Sequence, residues 1–172
     1  MMIHFPLPIF PSFLKVDFSD LPALIAAFLI NPLAGVAVVF IKNLINIVAG
    51  FSDTGGIGEI SNFIIGTAFV LPASFVYQKN KTKKGAIIGL LAGIASMTVF
   101  GALSNYYIVI PFYSKIIPFD TILKMCSSII PAVDSLEKIV LYSIVPFNIL
   151  KGTMASILAL LLYKRLSHFF KN

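Results

Sequence analysis

GAIIGLLAGIASMTVFGALSNYYIVI, residues 85–110, carries no charged side chain and ends at Pro111. At a helical rise of ~1.5 Å per residue it is long enough to cross a hydrocarbon core of ~30 Å. It therefore reads as a membrane-spanning helix. Gly85, Gly89 and Gly93 recur every fourth residue, with Ala92 and Ser96 nearby. Small residues at that spacing let a second helix approach closely, within the bundle or on another membrane subunit. Just before the span, QKNKTKK (residues 78–84) holds four lysines and no acid.

The rest of the 172-residue chain has the same character, 58% hydrophobic and 12% charged, with a mean hydropathy of +0.96. A soluble domain of this length needs far more charged surface, so the class is an all-α integral membrane protein in one domain, residues 1–172. Sixteen Phe and no Trp leave Tyr to supply the interfacial anchors. The net charge of +6 comes from bases that form no aromatic-interleaved patch, which excludes a nucleic-acid partner. Cys126 is the one cysteine, so neither an internal disulfide nor a CxxC metal site is available. It reads as a structural thiol. Met1–Phe5 holds neither a basic segment nor a long apolar run of the signal-peptide kind.

Five spans are expected, at about residues 21–30, 33–49, 60–77, 85–110 and 144–166, after an opening loop at 1–20. The first is short and stops at the turn signal Asn31-Pro32, and the third contains Pro72 as an expected kink. Residues 112–143 read as an amphipathic connection, helical over 136–142 without being a span. Lys79, Lys81, Lys83 and Lys84 fall on the same side as the tail bases Lys164, Arg165 and Lys171, and the positive-inside rule makes that side cytoplasmic. All seven acids, Asp17, Asp20, Asp53, Glu59, Asp120, Asp134 and Glu137, then lie outside.

With that orientation the polar residues within spans share one level. Asn105 falls near the outer end of the fourth span, and Asn148 and Lys151 in the first turns of the fifth, three apart on one face. Glu59 and Asn62 repeat that spacing at the outer end of the third, and Lys42, Asn43 and Asn46 occupy the outer half of the second. Such residues are expensive in a membrane and face a cavity or a partner helix. No polar track continues inward, so a pocket open outside and closed below fits better than a channel. Plainer readings stand beside it. Lys42 would snorkel or meet a helix-end carbonyl, and Asn43, Asn46 and Asn62 would bond helices together. Tyr106, Tyr107 and Tyr113 would be interfacial anchors, one of them lining the pocket. His4 and His168 have no assigned role. Phosphate-loop, HExxH, GxSxG and dinucleotide glycine patterns are absent, and Gly55-Gly56-Ile57-Gly58 reads as a tight turn.

FPSFLKVDFSDLPALI, IKNL, GGIGEISNF, NYYIVIPFY and PFNILKG follow one another in this order. Together they resemble the riboflavin-specific S component of energy-coupling-factor (ECF) transporters, over Phe5 to about Gly152. The resemblance implies a six-helix bundle, five helices of which are evident here, that captures riboflavin from outside. Uptake would need a transmembrane coupling protein and two cytoplasmic ATPases, in keeping with the missing phosphate loop. The chain would be a multi-pass protein of the cell membrane and not an enzyme, with riboflavin as cargo and no cofactor or metal. Residues 5–20 match the family's lid after helix one, which would make that helix, the one that contacts the coupling protein in the family, the missing one. The family's ring-binding residues match Asn105, Asn148 and Lys151. Asn amides donate and accept along a carbonyl-rimmed isoalloxazine edge, and Lys151 donates. Lys15, Asp17, Glu59 and Asn62 are candidates for the ribityl hydroxyls. The only arginine, Arg165, is on the cytoplasmic side, which suits a ligand without phosphate.

Three rivals remain on sequence grounds. One is an S component for another vitamin, and one is a membrane enzyme using Asp17, Asp20 or Glu59 at the outer surface. The last is a structural membrane protein, in which a buried Lys151 would have no purpose.

Overall fold

The computed structural model describes residues 4–11, 13–52 and 55–166, with side chains described between 7 and 162. The helices are α1 (Asp20–Leu29), α2 (Pro32–Val48), α3 (Ile57–Lys79), α4 (Lys83–Ser104), α5 (Ile110–Tyr113), α6 (Phe119–Ser127), α7 (Leu136–Ile139) and α8 (Val145–Leu166). Wide π-type turns at Asn105–Val109 and Val140–Ile144 join α4 to α5 and α7 to α8, so the described chain forms six helical bodies. Three of them are long and apolar enough to cross a membrane: Ile57–Lys79, Lys83–Tyr113 and Leu136–Leu162.

Local chemistry sets the boundaries. Asn31 caps α2 by accepting from the Ala34 amide at 2.8 Å, with Pro32 in the first turn, where a missing N–H costs nothing. Thr82 caps α4 through the Gly85 amide at 3.1 Å. Gly55 and Gly56 adopt φ of 59° and 95°, a left-handed path that makes the expected turn into α3. That helix runs unbroken through Pro72.

The glycine repeat faces α3. A Cβ on Gly89 would stand 2.4 Å from the Ala73 carbonyl oxygen, and one on Gly93 would stand 2.6 Å from that of Phe69. Of the two sequence readings, close packing inside the bundle is the one observed. Leu24, Val39, Phe69, Leu90 and Met97 fill the core there, while Ile88, Leu91, Val99 and Leu161 point outward, as a lipid-facing surface requires.

The last long helix starts earlier than its sequence suggests. Residues 136–142 are not a separate piece of the connection, because α7 runs through its π turn into α8. Pro146 explains the turn: its ring lacks an N–H and would clash with the carbonyl four residues back, and a wider turn relieves both problems. Pro111 follows the other π turn at the same distance. Asn148 and Lys151 are therefore three to four turns along this helix, not in its first turns.

The opening segment is more ordered than a loop. Strands β1 (His4–Pro6) and β2 (Lys15–Asp17) pair antiparallel, with Phe5 opposite Val16. Val16 is buried in a second core with Ile122, Cys126, Ile139 and Ile144, and Phe10 meets Phe147 edge to face at 5.4 Å. The hairpin is thereby clamped over the ends of the long helices.

Candidate functional site

A cavity of about 350 Å³ lies beneath this hairpin. Because α3 and α4 are antiparallel neighbours, the residues that line it, early in α3 and in the π turn just past α4, lie at the end opposite Lys79–Lys84. All seven side chains singled out from the sequence border it: Lys15, Asp17, Glu59, Asn62, Asn105, Asn148 and Lys151. Its apolar wall includes Phe13, Leu14, Ile65, Val109, Ile110 and Phe147. An apolar cleft with a few converging polar groups is the usual form of a small-molecule site.

The asparagines stand at the π turns. Asn105 opens the first and donates from Nδ2 to the Gly101 carbonyl at 2.8 Å. Asn148 donates to the carbonyl of Ile144, the last residue of the second, at 2.9 Å. Gly101 also leaves room for Asn148, since a Cβ there would stand 2.6 Å from Nδ2. Each amide is thus tied back to its own helix through its NH2 group, and each side chain is buried.

Glu59 is held between helices. Asn46 donates to its Oε1 at 2.6 Å and Ser52 to its Oε2 at 2.9 Å. Asn46 thus joins α2 to α3, as one sequence reading has it, and also lines the cavity. Asn43 instead donates within α2, to Val39 at 2.7 Å. Of the three tyrosines, Tyr113 lines the cavity, Tyr107 is exposed, and Tyr106 donates to Glu137 at 3.2 Å.

Lys151 is buried between two carboxylates, Asp17 Oδ2 at 3.1 Å and Asp20 Oδ2 at 3.3 Å. Burial opposes ionisation of Asp17, but the ammonium groups of Lys151 and Lys42 outweigh it and hold the carboxyl well below the usual carboxylate range. Lys42 neither snorkels nor caps a helix end. Its ammonium pairs with Asp20 and donates to Ser19 Oγ at 2.9 Å. Sequence reasoning notes both Asp20, as a surface carboxylate, and Lys42, as a snorkelling or helix-capping lysine, but neither places them beside the site nor pairs them with each other. The available signal was charge balance: two lysines within apolar helices require two buried acids, and Asp17 and Asp20 lie just ahead of α1 and at its first residue. Asp53 and the tail bases lie outside the described side chains.

A membrane bundle with a deep cavity under a clamped hairpin is a substrate-capturing architecture, and residues 1–163 match the family model described as "ECF transporter, substrate-specific component". The chain belongs to that family. Among its relatives, the riboflavin transporter FmnP of Bacillus subtilis is 35% identical, the match covering 96% of this chain and 83% of that protein. The riboflavin transporter RibU of Staphylococcus aureus is 37% identical, over 99% and 84% respectively. RibU of Streptococcus thermophilus is 32% identical, over 95% and 74%. A solved S component of a bacterial ECF transporter superposes with a TM-score of 0.74 at 35% identity, covering 98% of this chain and 87% of that one.

Proposed function

We propose that this chain is the riboflavin-capturing S component of an ECF transporter, with the cavity beneath the hairpin as its binding site. The observation that carries the reading is the convergence of Asn105, Asn148 and Lys151, from two helices, on one apolar-walled cavity. Isoalloxazine is flat, apolar on both faces and rimmed by carbonyl oxygens and an N–H. The two amides and the ammonium supply donors and acceptors along that edge, while the aromatic and aliphatic wall covers the faces. Lys15, Asp17, Glu59 and Asn62 offer the ribityl hydroxyls acceptors and donors from the hairpin and the start of α3. The names of the relatives support the same ligand.

The protein sits in the cell membrane as a multi-pass bundle, its spans at about residues 21–30, 33–49, 57–79, 83–113 and 136–162, with the basic α3–α4 connection inside and the cavity outside. The two shorter helices, α1 and α2, complete the bundle. A transmembrane coupling protein and two ATPases on the cytoplasmic side drive release of the vitamin. Titration of the detergent-purified protein with riboflavin tests this directly. Flavin fluorescence is expected to be quenched with a sub-micromolar Kd, on the order of −8 to −12 kcal/mol. Folded protein that quenches nothing at ~10 µM riboflavin refutes it.

A further inference from the structure

Two lysines meet beside the cavity, and only Lys151 borders it. Lys42 reaches one of the two acids of Lys151, Asp20, from α2. The contacts close into a ring. Lys151 holds Asp17 Oδ2 at 3.1 Å, and Asp17 Oδ1 accepts the Ser19 hydroxyl. Ser19 Oγ in turn accepts from Lys42 at 2.9 Å, Lys42 pairs with Asp20 Oδ1, and Asp20 Oδ2 returns to Lys151 at 3.3 Å. Side-chain exposure is only 12% for Lys42 and 3% for Asp20, so the ring is shielded from solvent.

Its charges sum to zero, two ammonium groups against two carboxylates. That balance decides what Lys151 can offer. An ammonium has three N–H donors. Two of those on Lys151 face Asp17 and Asp20, which leaves one for the cavity. Without Lys42, Asp20 Oδ1 loses its cation and the ring carries a net negative charge. The remaining donor of Lys151 is then drawn to the unpaired carboxylate oxygen and away from a ligand. Ser19 loses a donor as well, which loosens its hold on Asp17 and on strand β2.

We infer that Lys42 is a positioning residue for ligand recognition, acting through Asp20 and Ser19 to hold Lys151 with one N–H turned to the cavity. This rests on the riboflavin reading above, so the wild-type titration is run alongside as its control. Lys42→Met is expected to weaken riboflavin binding by about tenfold or more, whereas Lys42→Arg keeps it within about threefold. The deciding variant is Asp20→Asn combined with Lys42→Met, which restores neutrality while leaving Asp17 on Lys151.

Neighbouring charges in one network couple non-additively. The double variant is therefore expected to bind more tightly than either Lys42→Met or Asp20→Asn alone. If Lys42→Met yields no folded protein, the comparison of the double variant with Asp20→Asn decides. Wild-type affinity in Lys42→Met overturns the inference, and so does a double variant weaker than the single variants it is compared with. A wild-type protein that binds no riboflavin overturns the functional reading and this inference together. Loss confined to the variants implicates the ring alone.

Discussion

Gly101→Ala should damage riboflavin binding without damaging the fold. A Cβ at this position would stand 2.6 Å from Asn148 Nδ2, 3.0 Å from its Cγ and 3.2 Å from its Oδ1. The whole amide must retreat by several tenths of an ångström, and its hydrogen bond to Ile144, 2.9 Å long, stretches or breaks. The displaced amide then no longer meets the ring edge, and losing one hydrogen bond to the ligand in a desolvated site costs about 1–3 kcal/mol, roughly a five- to 150-fold rise in Kd. Helix propensity works in the other direction, since Ala is better than Gly in a helix interior by about 1 kcal/mol. Thermal unfolding of the unliganded protein should consequently change little while the affinity falls. Gly152→Ala is the matched control. Its Cβ would meet Ile94 Cγ1 at 3.1 Å and Met97 Sδ at 3.3 Å, contacts that need only a few tenths of an ångström of give, in side chains outside the cavity lining. The assay is flavin fluorescence quenching for each purified variant, with unfolding midpoints measured on the same preparations. If Gly101→Ala binds riboflavin within about twofold of wild type, Asn148 does not carry ring recognition from the position it occupies here.

Asn148→Ala and Lys151→Met should each raise the Kd by about tenfold or more, while Lys79→Ala and Lys83→Ala, at the opposite end of the bundle, leave it unchanged in the same titration. Gly93→Ala should lower the unfolding midpoint, because its Cβ would lie 2.6 Å from the backbone oxygen of Phe69. Overpacking of this kind costs about 1–3 kcal/mol, and an unchanged midpoint would mean that α3 and α4 are not so tightly apposed. Asp17 should keep its contribution to stability until far below neutral pH. A carboxyl with a lowered folded-state pKa contributes stability above its unfolded value of 3.8 and loses it only as pH falls through the folded value. Stability attributable to Asp17 should thus be flat from about pH 5 to 8, a window in which both its unfolded and its folded forms are ionised, as unfolding scans across that range would reveal.

Much of this architecture is written in hydrophobicity and turn chemistry. The uncharged run at 85–110, the Asn31-Pro32 break and the glycine turn before α3 are local signals, and each falls where the helices begin or end. The start of the last long helix is not local. Pro146 and the polar residues around 134–138 look like an interruption, and only the π turn, a backbone adjustment with no composition of its own, carries the helix through. Asn105, Asn148 and Lys151 could be picked out because a polar group inside a membrane helix is expensive enough to demand a purpose. Asp20 and Lys42 were harder to see, since a lysine near a helix end has an inexpensive alternative in snorkelling. Their pairing depends on α1 and α2 folding back on each other, which no spacing along the chain reveals.

The most direct measurement is a structure of the protein with riboflavin bound. The ring is expected in the cavity beneath the β1–β2 hairpin, its edge within hydrogen-bonding distance of Asn105, Asn148 and Lys151, and its ribityl chain toward Lys15 and Glu59. Riboflavin bound elsewhere, or in this cavity with its ring away from those three side chains, would contradict the site proposed here.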